Sequence, residues 1–84
     1  MIKGMSEKAI IDLSGSIAAK TSDLDESCQM VQEKLGVTEG GIAGIFFSGF
    51  DPEAFSALSE SDRLVHIHHY IKTELLYANT KPNY

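Results

Sequence analysis

Three histidines close together near the end of the chain are the first residues to consider for metal chemistry. Imidazole is a common ligand for zinc and copper, and His66, His68 and His69 fall within one helical turn. At about 100° per residue, His68 points near the predicted core, whereas His66 and His69 point to the far side. Asp62 shares that far face but has a simpler role in the first turn of the helix. We therefore expect a solvated, weakly pH-sensitive face, with no bound metal or other cofactor.

Cys28 is the single cysteine of the chain, and its surroundings do not suit a nucleophile. A reactive cysteine needs an accessible thiolate near a base or a positive charge. Cys28 instead follows Leu24 and precedes Val31 on one apolar stripe, next to the acidic Asp25 and Glu26. No nucleophile elbow, phosphate loop, metalloprotease helix or dinucleotide fingerprint occurs elsewhere. The sequence therefore predicts a non-catalytic protein.

Residues 28–47 resemble a helix-turn-helix motif in the spacing of their apolar residues and turn glycine. The matching positions are Val31, Leu35, Gly36, Val37, Ile42 and Ile45. Gln32 stands where the motif usually has a small residue. The resemblance implies a DNA-binding transcriptional regulator whose recognition helix begins near Thr38, and this is the alternative interpretation of the chain.

Charge argues against that alternative. A recognition helix reads bases and phosphates with cationic, amide or hydroxyl side chains, but Glu39 and the small residues after it supply none of them. The whole chain has 12 acidic and 7 basic residues, a formal net charge of −5. Neutralisation of phosphates by Lys and Arg supplies most of the affinity for nucleic acid. We therefore expect a protein partner and no nucleic-acid partner.

The glycines of the same stretch also predict a packing surface. Gly36, Gly40 and Gly44 are spaced by four, so a helix through them presents a groove without side chains. Another backbone can approach such a groove closely. Because each glycine inside a helix costs roughly 1 kcal/mol relative to alanine, we expect a compensating helix contact at these three positions.

The length and composition of the chain limit the number of domains and the size of the core. A chain of 84 residues forms one domain, here residues 1–84, with a single modest core. One cysteine cannot make an internal disulfide, and no signal peptide or apolar run of about 18 residues occurs. The sequence therefore predicts a small acidic cytoplasmic protein without a membrane partner, and cores of this size often depend on oligomerisation.

Cap residues and apolar spacing predict an all-α fold, a compact bundle of four to five short helices. The first helix follows Ser6 over about 7–20, and the second begins within 21–26 and ends at Gly36. A third follows Thr38 up to Gly49, although the run Ile42–Phe47 is also compatible with a strand. A short helix starts at Asp51-Pro52-Glu53, and a last helix covers about 60–78, before a polar tail at 79–84.

The last helix is predicted to carry apolar residues on two sides. Its core arc comprises Leu64, Ile67, Ile71, Leu75 and Ala78. A second stripe contains Arg63, His66, Tyr70 and Tyr77, with Val65 and Leu76 lying between the two arcs. Arginine and tyrosine are favoured at protein interfaces. We therefore expect these six residues to form the interface of an adaptor, inhibitor or accessory regulator, of the phage or plasmid type, that binds another protein and forms a homodimer.

Overall fold

The computed structural model describes residues 4–36 and 50–80, with side chains as far as Tyr77. Within these ranges the chain forms four α-helices and no strand. They are α1 (Glu7–Lys20), α2 (Leu24–Leu35), α3 (Pro52–Ala57) and α4 (Glu60–Thr80). The predicted all-α class is confirmed. The helix or strand predicted over 38–48 lies outside the described residues, as do Gly40, Gly44 and the tail residues 81–84.

Local capping explains where the helices begin. The Ser6 hydroxyl accepts a hydrogen bond from the Ala9 amide at 3.1 Å, and the Asp23 carboxylate accepts one from Glu26 at 2.8 Å. Ser59 caps α4 in the same way, since its hydroxyl accepts from the Asp62 amide at 3.1 Å. These contacts satisfy amide groups that lack a partner within the helix. The four predicted helix starts near 7, 24, 52 and 60 are confirmed, while α4 runs to Thr80, two residues beyond its predicted end.

Gly36 ends α2 through its backbone conformation. Its φ of 69° is left-handed, and its amide donates to the carbonyl groups of Gln32 and Glu33. Glycine adopts this conformation without the steric penalty that a Cβ brings. A Cβ built on Gly36 would meet no described atom within 4 Å. The prediction that Gly36 lies at a close helix contact is therefore wrong for the described part of the chain, where this glycine serves the turn.

Among the described glycines, Gly15 lies at a close helix contact. Gly15 lies in the middle of α1, and a Cβ at this position would be 3.4 Å from Leu64 Cδ1 of α4. The two helices run antiparallel, because Glu7 at the start of α1 contacts Lys72 and Ala18 near its end contacts Arg63. α1 and α4 form the largest helix pair of the described structure, and α2 packs on α1 and α3.

The buried core lies between these helices. Its members are Ile10, Ile17, Ala18, Leu24, Val31, Phe55, Ile67, Tyr70, Ile71 and Leu75. Ile67, Ile71 and Leu75 were predicted on the core arc of the last helix, and Leu64 is half-buried against it. Tyr70 and Glu74 were not, yet both are buried. The buried face of α4 is therefore wider than predicted. It includes Tyr70, which was predicted to belong to the interface stripe.

Candidate interaction surface

Tyr70 belongs to the core and not to an outer surface. Its exposed fraction is 0%, and its hydroxyl donates to Glu74 Oε1 at 3.2 Å. Burial raises the pKa of the phenol above its usual value of 10, and the adjacent Glu74 raises it further. The prediction of an interface role for Tyr70 is wrong because α4 is turned so that this ring, like Ile67, faces the other helices.

Arg63 is also held inside the fold. Its Nη1 donates to the carbonyl of Leu58 at 2.7 Å, and its Nη2 donates to the carbonyl of Ala18 at 2.9 Å. These carbonyls lie at the C-terminal ends of α3 and α1, where the partial negative charge of a helix favours a cation. Arg63 is half-buried and joins three helices. Arg63 therefore has a structural role within the fold and not the predicted role in an interface.

The three histidines have three different environments. The ring of His66 is half-buried and packs edge-on against Phe50, with centroids 4.9 Å apart. His68 Nε2 donates to Glu7 Oε2 at 2.7 Å, and His69 is exposed. Over 4–36 and 50–77, no three His, Cys, Asp or Glu side chains are placed to hold a metal ion. His66 thus lies against an aromatic ring and not on the predicted outer stripe.

Glu7 connects the outer sides of α1 and α4. Its carboxylate accepts from His68 at 2.7 Å and from Lys72 Nζ at 3.2 Å. The hydrogen bond from His68, and then the one from Lys72, lower the pKa of Glu7 below its usual 4.5. The carboxylate also lies in the first turn of α1, where the positive end of the helix dipole favours an anion. The charges at this position are therefore paired between the two helices.

Four large apolar side chains of the described residues remain substantially exposed. They are Ile11 (46%), Val65 (60%), Leu76 (63%) and Tyr77 (41%). Val65 and Leu76 are eleven residues apart, close to three helical turns, and so lie on one line along α4. Ile11 is one turn from Glu7 and one turn from Gly15, the residues through which α1 contacts α4. The surface formed by Ile11, Val65 and Leu76 with Glu7, His68 and Lys72 is called the outer face below.

A groove opens at one end of the outer face. It has a volume of about 690 Å³ and lies between the start of α1 and residues 68–76 of α4. Met5 and Ile10 line it from one side, and Leu75 and Leu76 line it from the other. His68 and Lys72 border it. The groove therefore begins about one helical turn after the exposed Val65 and extends along α4 to Leu76.

Cys28 lies on α2, away from this surface, and its surroundings disfavour the thiolate. The residue is half-buried. This burial, followed by the charges of Asp25 and Asp23, raises the pKa of the thiol from 9 to about 12. A thiolate is the nucleophilic form of cysteine, and here it is strongly disfavoured near neutral pH. The placement agrees with the interpretation of Cys28 as a residue of the apolar stripe of α2.

Of the six predicted interface residues, the structure leaves three exposed: Val65, Leu76 and Tyr77. Neither the exposure of Ile11 nor the groove was predicted from the sequence. The available signal was the pair Ile10 and Ile11, because consecutive helical residues point about 100° apart, so a narrow apolar seam turns only one of the two fully toward the core. Ile10 is 5% exposed and Ile11 is 46% exposed.

Comparison with known proteins found no matching family model, no matching curated protein and no matching solved structure. Among the described residues, no helix is both long enough and apolar enough to cross a membrane. The feature of the described residues that bears most directly on function is therefore the outer face.

Proposed function

We propose that this chain is a small non-catalytic protein-binding module that self-associates through the outer face. The observation that carries the proposal is the exposure of Val65 and Leu76, 60% and 63%, on one line of the longest described helix. Burial of apolar surface stabilises association by roughly 25 cal/mol per Å². An apolar line on a helix is a common element of helix-mediated recognition.

The charges of the outer face favour contact between two copies. The full chain carries a net charge of −5, which opposes the approach of one copy to another. On the outer face, however, Glu7 accepts hydrogen bonds from both His68 and Lys72. The acidic Glu7 and the basic Lys72 are thus paired there, which reduces the repulsion between two copies at this face. The proposal also includes the cytoplasm as the compartment, because the chain has a single cysteine and so cannot form an internal disulfide.

The helix-turn-helix interpretation remains an alternative prediction. The described part of that motif is α2 with Gly36, whereas the recognition helix would fall within 37–47, outside the described residues. The exposed acidic groups of α2, Asp25, Glu26 and Glu33, do not favour contact with phosphate. The described residues therefore supply more support for a protein partner than for DNA.

Sedimentation equilibrium from low to high micromolar concentration tests the proposal. We expect the parent chain to associate, and we expect Val65→Ser with Leu76→Ser to weaken association at least about tenfold, because a tenfold change corresponds to only ~1.4 kcal/mol. Tyr70 is unsuitable for this test, since its replacement would disturb the core. Gln29→Ser, at an exposed position of α2, is the control and should leave association unchanged.

A parent chain that stays monomeric at the highest concentration would refute self-association. A dimer that is equally sensitive to Gln29→Ser and to the double substitution would place the contact elsewhere. Circular dichroism on each variant checks that helical content is retained, which is expected because Val65, Leu76 and Gln29 are all exposed.

A further inference from the structure

We infer that the groove between the start of α1 and residues 68–76 of α4 is a binding site for a small anionic amphiphile, a free medium-chain carboxylate. Such a site goes beyond the proposed function and does not depend on it. The groove has a volume of about 690 Å³. Clefts that hold small molecules in proteins usually measure about 300 to 1,000 Å³ and combine a mostly apolar lining with a few polar groups. The size of the groove is therefore that of a small-molecule site.

The apolar part of the groove suits a hydrocarbon chain. Four apolar side chains line it: Met5, Ile10, Leu75 and Leu76. The Thr73 hydroxyl also lies in the lining, and it donates to a carbonyl of its own helix at 2.8 Å. An unbranched alkyl chain brings no polar group that would need a hydrogen-bond partner along these walls.

The charged part of the groove differs from the rest of the surface. The single acidic residue Glu7 lines it together with Lys72, His68 and His69, whereas acidic residues outnumber Lys and Arg over the rest of the described ranges 4–36 and 50–77. The Glu7 carboxylate already accepts hydrogen bonds from His68 at 2.7 Å and from Lys72 at 3.2 Å. Its negative charge is thus compensated before a ligand binds. The groove therefore opposes an anion less than the acidic surface around it.

Lys72 is the group that can hold the carboxylate. Its side chain is 50% exposed, and a lysine ammonium group has three N–H donors, of which one is used by Glu7. A carboxylate at the other donors forms a charge-assisted hydrogen bond, which is stronger than a bond between neutral groups. Leu76 lies one helical turn beyond Lys72, so a head group at the lysine places the alkyl chain along the apolar walls. No arginine, the residue best suited to phosphate, is among the described residues of the lining, which favours a single carboxylate.

Titration of the full-length chain with sodium decanoate, below its critical micelle concentration, tests the inference by two-dimensional amide NMR. We expect the amide signals of Glu7, Lys72 and Thr73 to shift. Decanoate should bind at least about fourfold more tightly than octanoate, because each buried methylene contributes roughly fourfold in affinity. Decyltrimethylammonium is the control for adsorption through the alkyl chain alone. The net charge of −5 attracts this cation, so a preference for decanoate indicates a site at the lysine.

Three variants locate the site. Lys72→Gln should weaken decanoate binding at least about fivefold, because it removes the ammonium group and leaves Glu7 less compensated. Lys8→Gln is the matched control: it changes the net charge equally, and neither Lys8 nor its partner Asp12 is among the residues that line the groove. Val65→Ser alters the proposed self-association surface outside that lining. Both of these variants should leave the decanoate affinity unchanged, and circular dichroism checks that all three retain their helical content.

The outcomes separate this inference from the proposed function. Absence of binding at millimolar decanoate overturns the inference, as does binding of decyltrimethylammonium that is at least as tight. Equal losses of affinity in Lys8→Gln and Lys72→Gln would show a response to net charge alone, and a loss in Val65→Ser would place binding outside the groove; either result overturns the inference. A chain that binds decanoate but stays monomeric in sedimentation contradicts only the proposed self-association. A chain that self-associates without binding decanoate contradicts only the ligand site.

Discussion

The two sides of α4 carry similar residue types and have opposite environments. On the inward side Ile67, Tyr70 and Ile71 are 0% exposed, whereas on the outward side Val65 and Leu76 are 60% and 63% exposed. Both sides are apolar enough to face a core, so composition alone does not identify the inward side. The inward side is decided by the neighbouring helices, since α1 and the other described helices pack on only one side of α4. The inward residues stabilise the single chain, and the outward residues contribute mainly when another surface covers them.

The same contrast holds for the acidic residues. Glu74 is 1% exposed and accepts a hydrogen bond from Tyr70 in the core, while Glu7 is solvent-accessible and joins His68 and Lys72 at the surface. A buried polar group that loses its partner keeps the full cost of desolvation. Exposed ion pairs contribute little, because water and salt screen them. We therefore expect substitutions on the inward side to change stability much more than those on the outward side.

The largest difference in the free energy of unfolding is expected between alanine variants of the two tyrosines of α4, Tyr70 and Tyr77. Tyr70→Ala should lower the free energy of unfolding by about 3 to 5 kcal/mol, the usual cost of deleting a large buried ring. Tyr77→Ala, at 41% exposure, should lower it by less than about 1 kcal/mol. Urea titration at concentrations where both variants are monomeric measures the two values. Equal losses would contradict the assignment of Tyr70 alone to the core.

The next largest effect on stability is expected at Arg63, which lies at the boundary between the inward and outward sides of α4. Arg63→Met should lower the free energy of unfolding by about 2 to 3 kcal/mol, because carbonyls at the ends of α1 and α3 lose charged hydrogen bonds. Lys8→Met is the control, since Lys8 pairs only with exposed Asp12 among the described residues, and we expect little change. If both variants unfold at the parent's urea midpoint, Arg63 does not join the three helices.

Smaller changes in both directions are expected at the contact between α1 and α4. Gly15→Leu should lower the free energy of unfolding by about 1 to 3 kcal/mol, because the new side chain enters the space held by Leu64. Gly15→Ala should raise it by about 0.5 to 1 kcal/mol, because a Cβ at 3.4 Å from Leu64 Cδ1 is an acceptable contact and alanine favours the helix. Thermal unfolding of both variants tests this, and a stabilised leucine variant would show that the helices are not closely packed there.

The smallest effect belongs to the exposed ion pairs and depends on pH. Because hydrogen bonds from His68 and Lys72 lower the pKa of Glu7 in the folded chain, its contribution to stability is present above the usual value of 4.5. It is lost as the pH falls through the lowered value. Glu7→Gln should therefore lower the urea midpoint slightly at neutral pH, and the difference from the parent should shrink as the pH falls below 4.5 through the lowered pKa. A difference between the variant and the parent that is larger in acid would contradict this linkage.

Much of the local structure was predictable because it depends on residues close in sequence. Ser6 with Ala9, Asp23 with Glu26 and Ser59 with Asp62 are pairs three positions apart, so the capping bonds follow from residue type and spacing. The end of α2 at Gly36 follows from the freedom of glycine at positive φ. These signals predicted the four described helices and the all-α class.

The candidate site was predicted less completely. Val65, Leu76 and Tyr77 are exposed as expected, but Tyr70, Arg63 and His66 are engaged within the fold. The error has one cause: α4 has apolar residues around much of its circumference, so spacing did not define which of its sides faces inward. The contact of Gly15 with Leu64 was missed for a related reason, since the spacing of glycines by four in 36–44 carries no information about residue 15, and Gly40 and Gly44 lie outside the described residues.

The four described helices, their caps and the acidic character of the chain follow directly from the order and types of the residues, because they depend on contacts within one helical turn and on composition. Tertiary structure alone decided which side of α4 is buried, which glycine allows a close approach and which carboxylate is enclosed. Arg63 receives its role from carbonyls 5 and 45 residues away, in Leu58 and Ala18. Such partners are set by the packing of whole helices, where the total area buried, and not the preference of any one residue, determines the orientation.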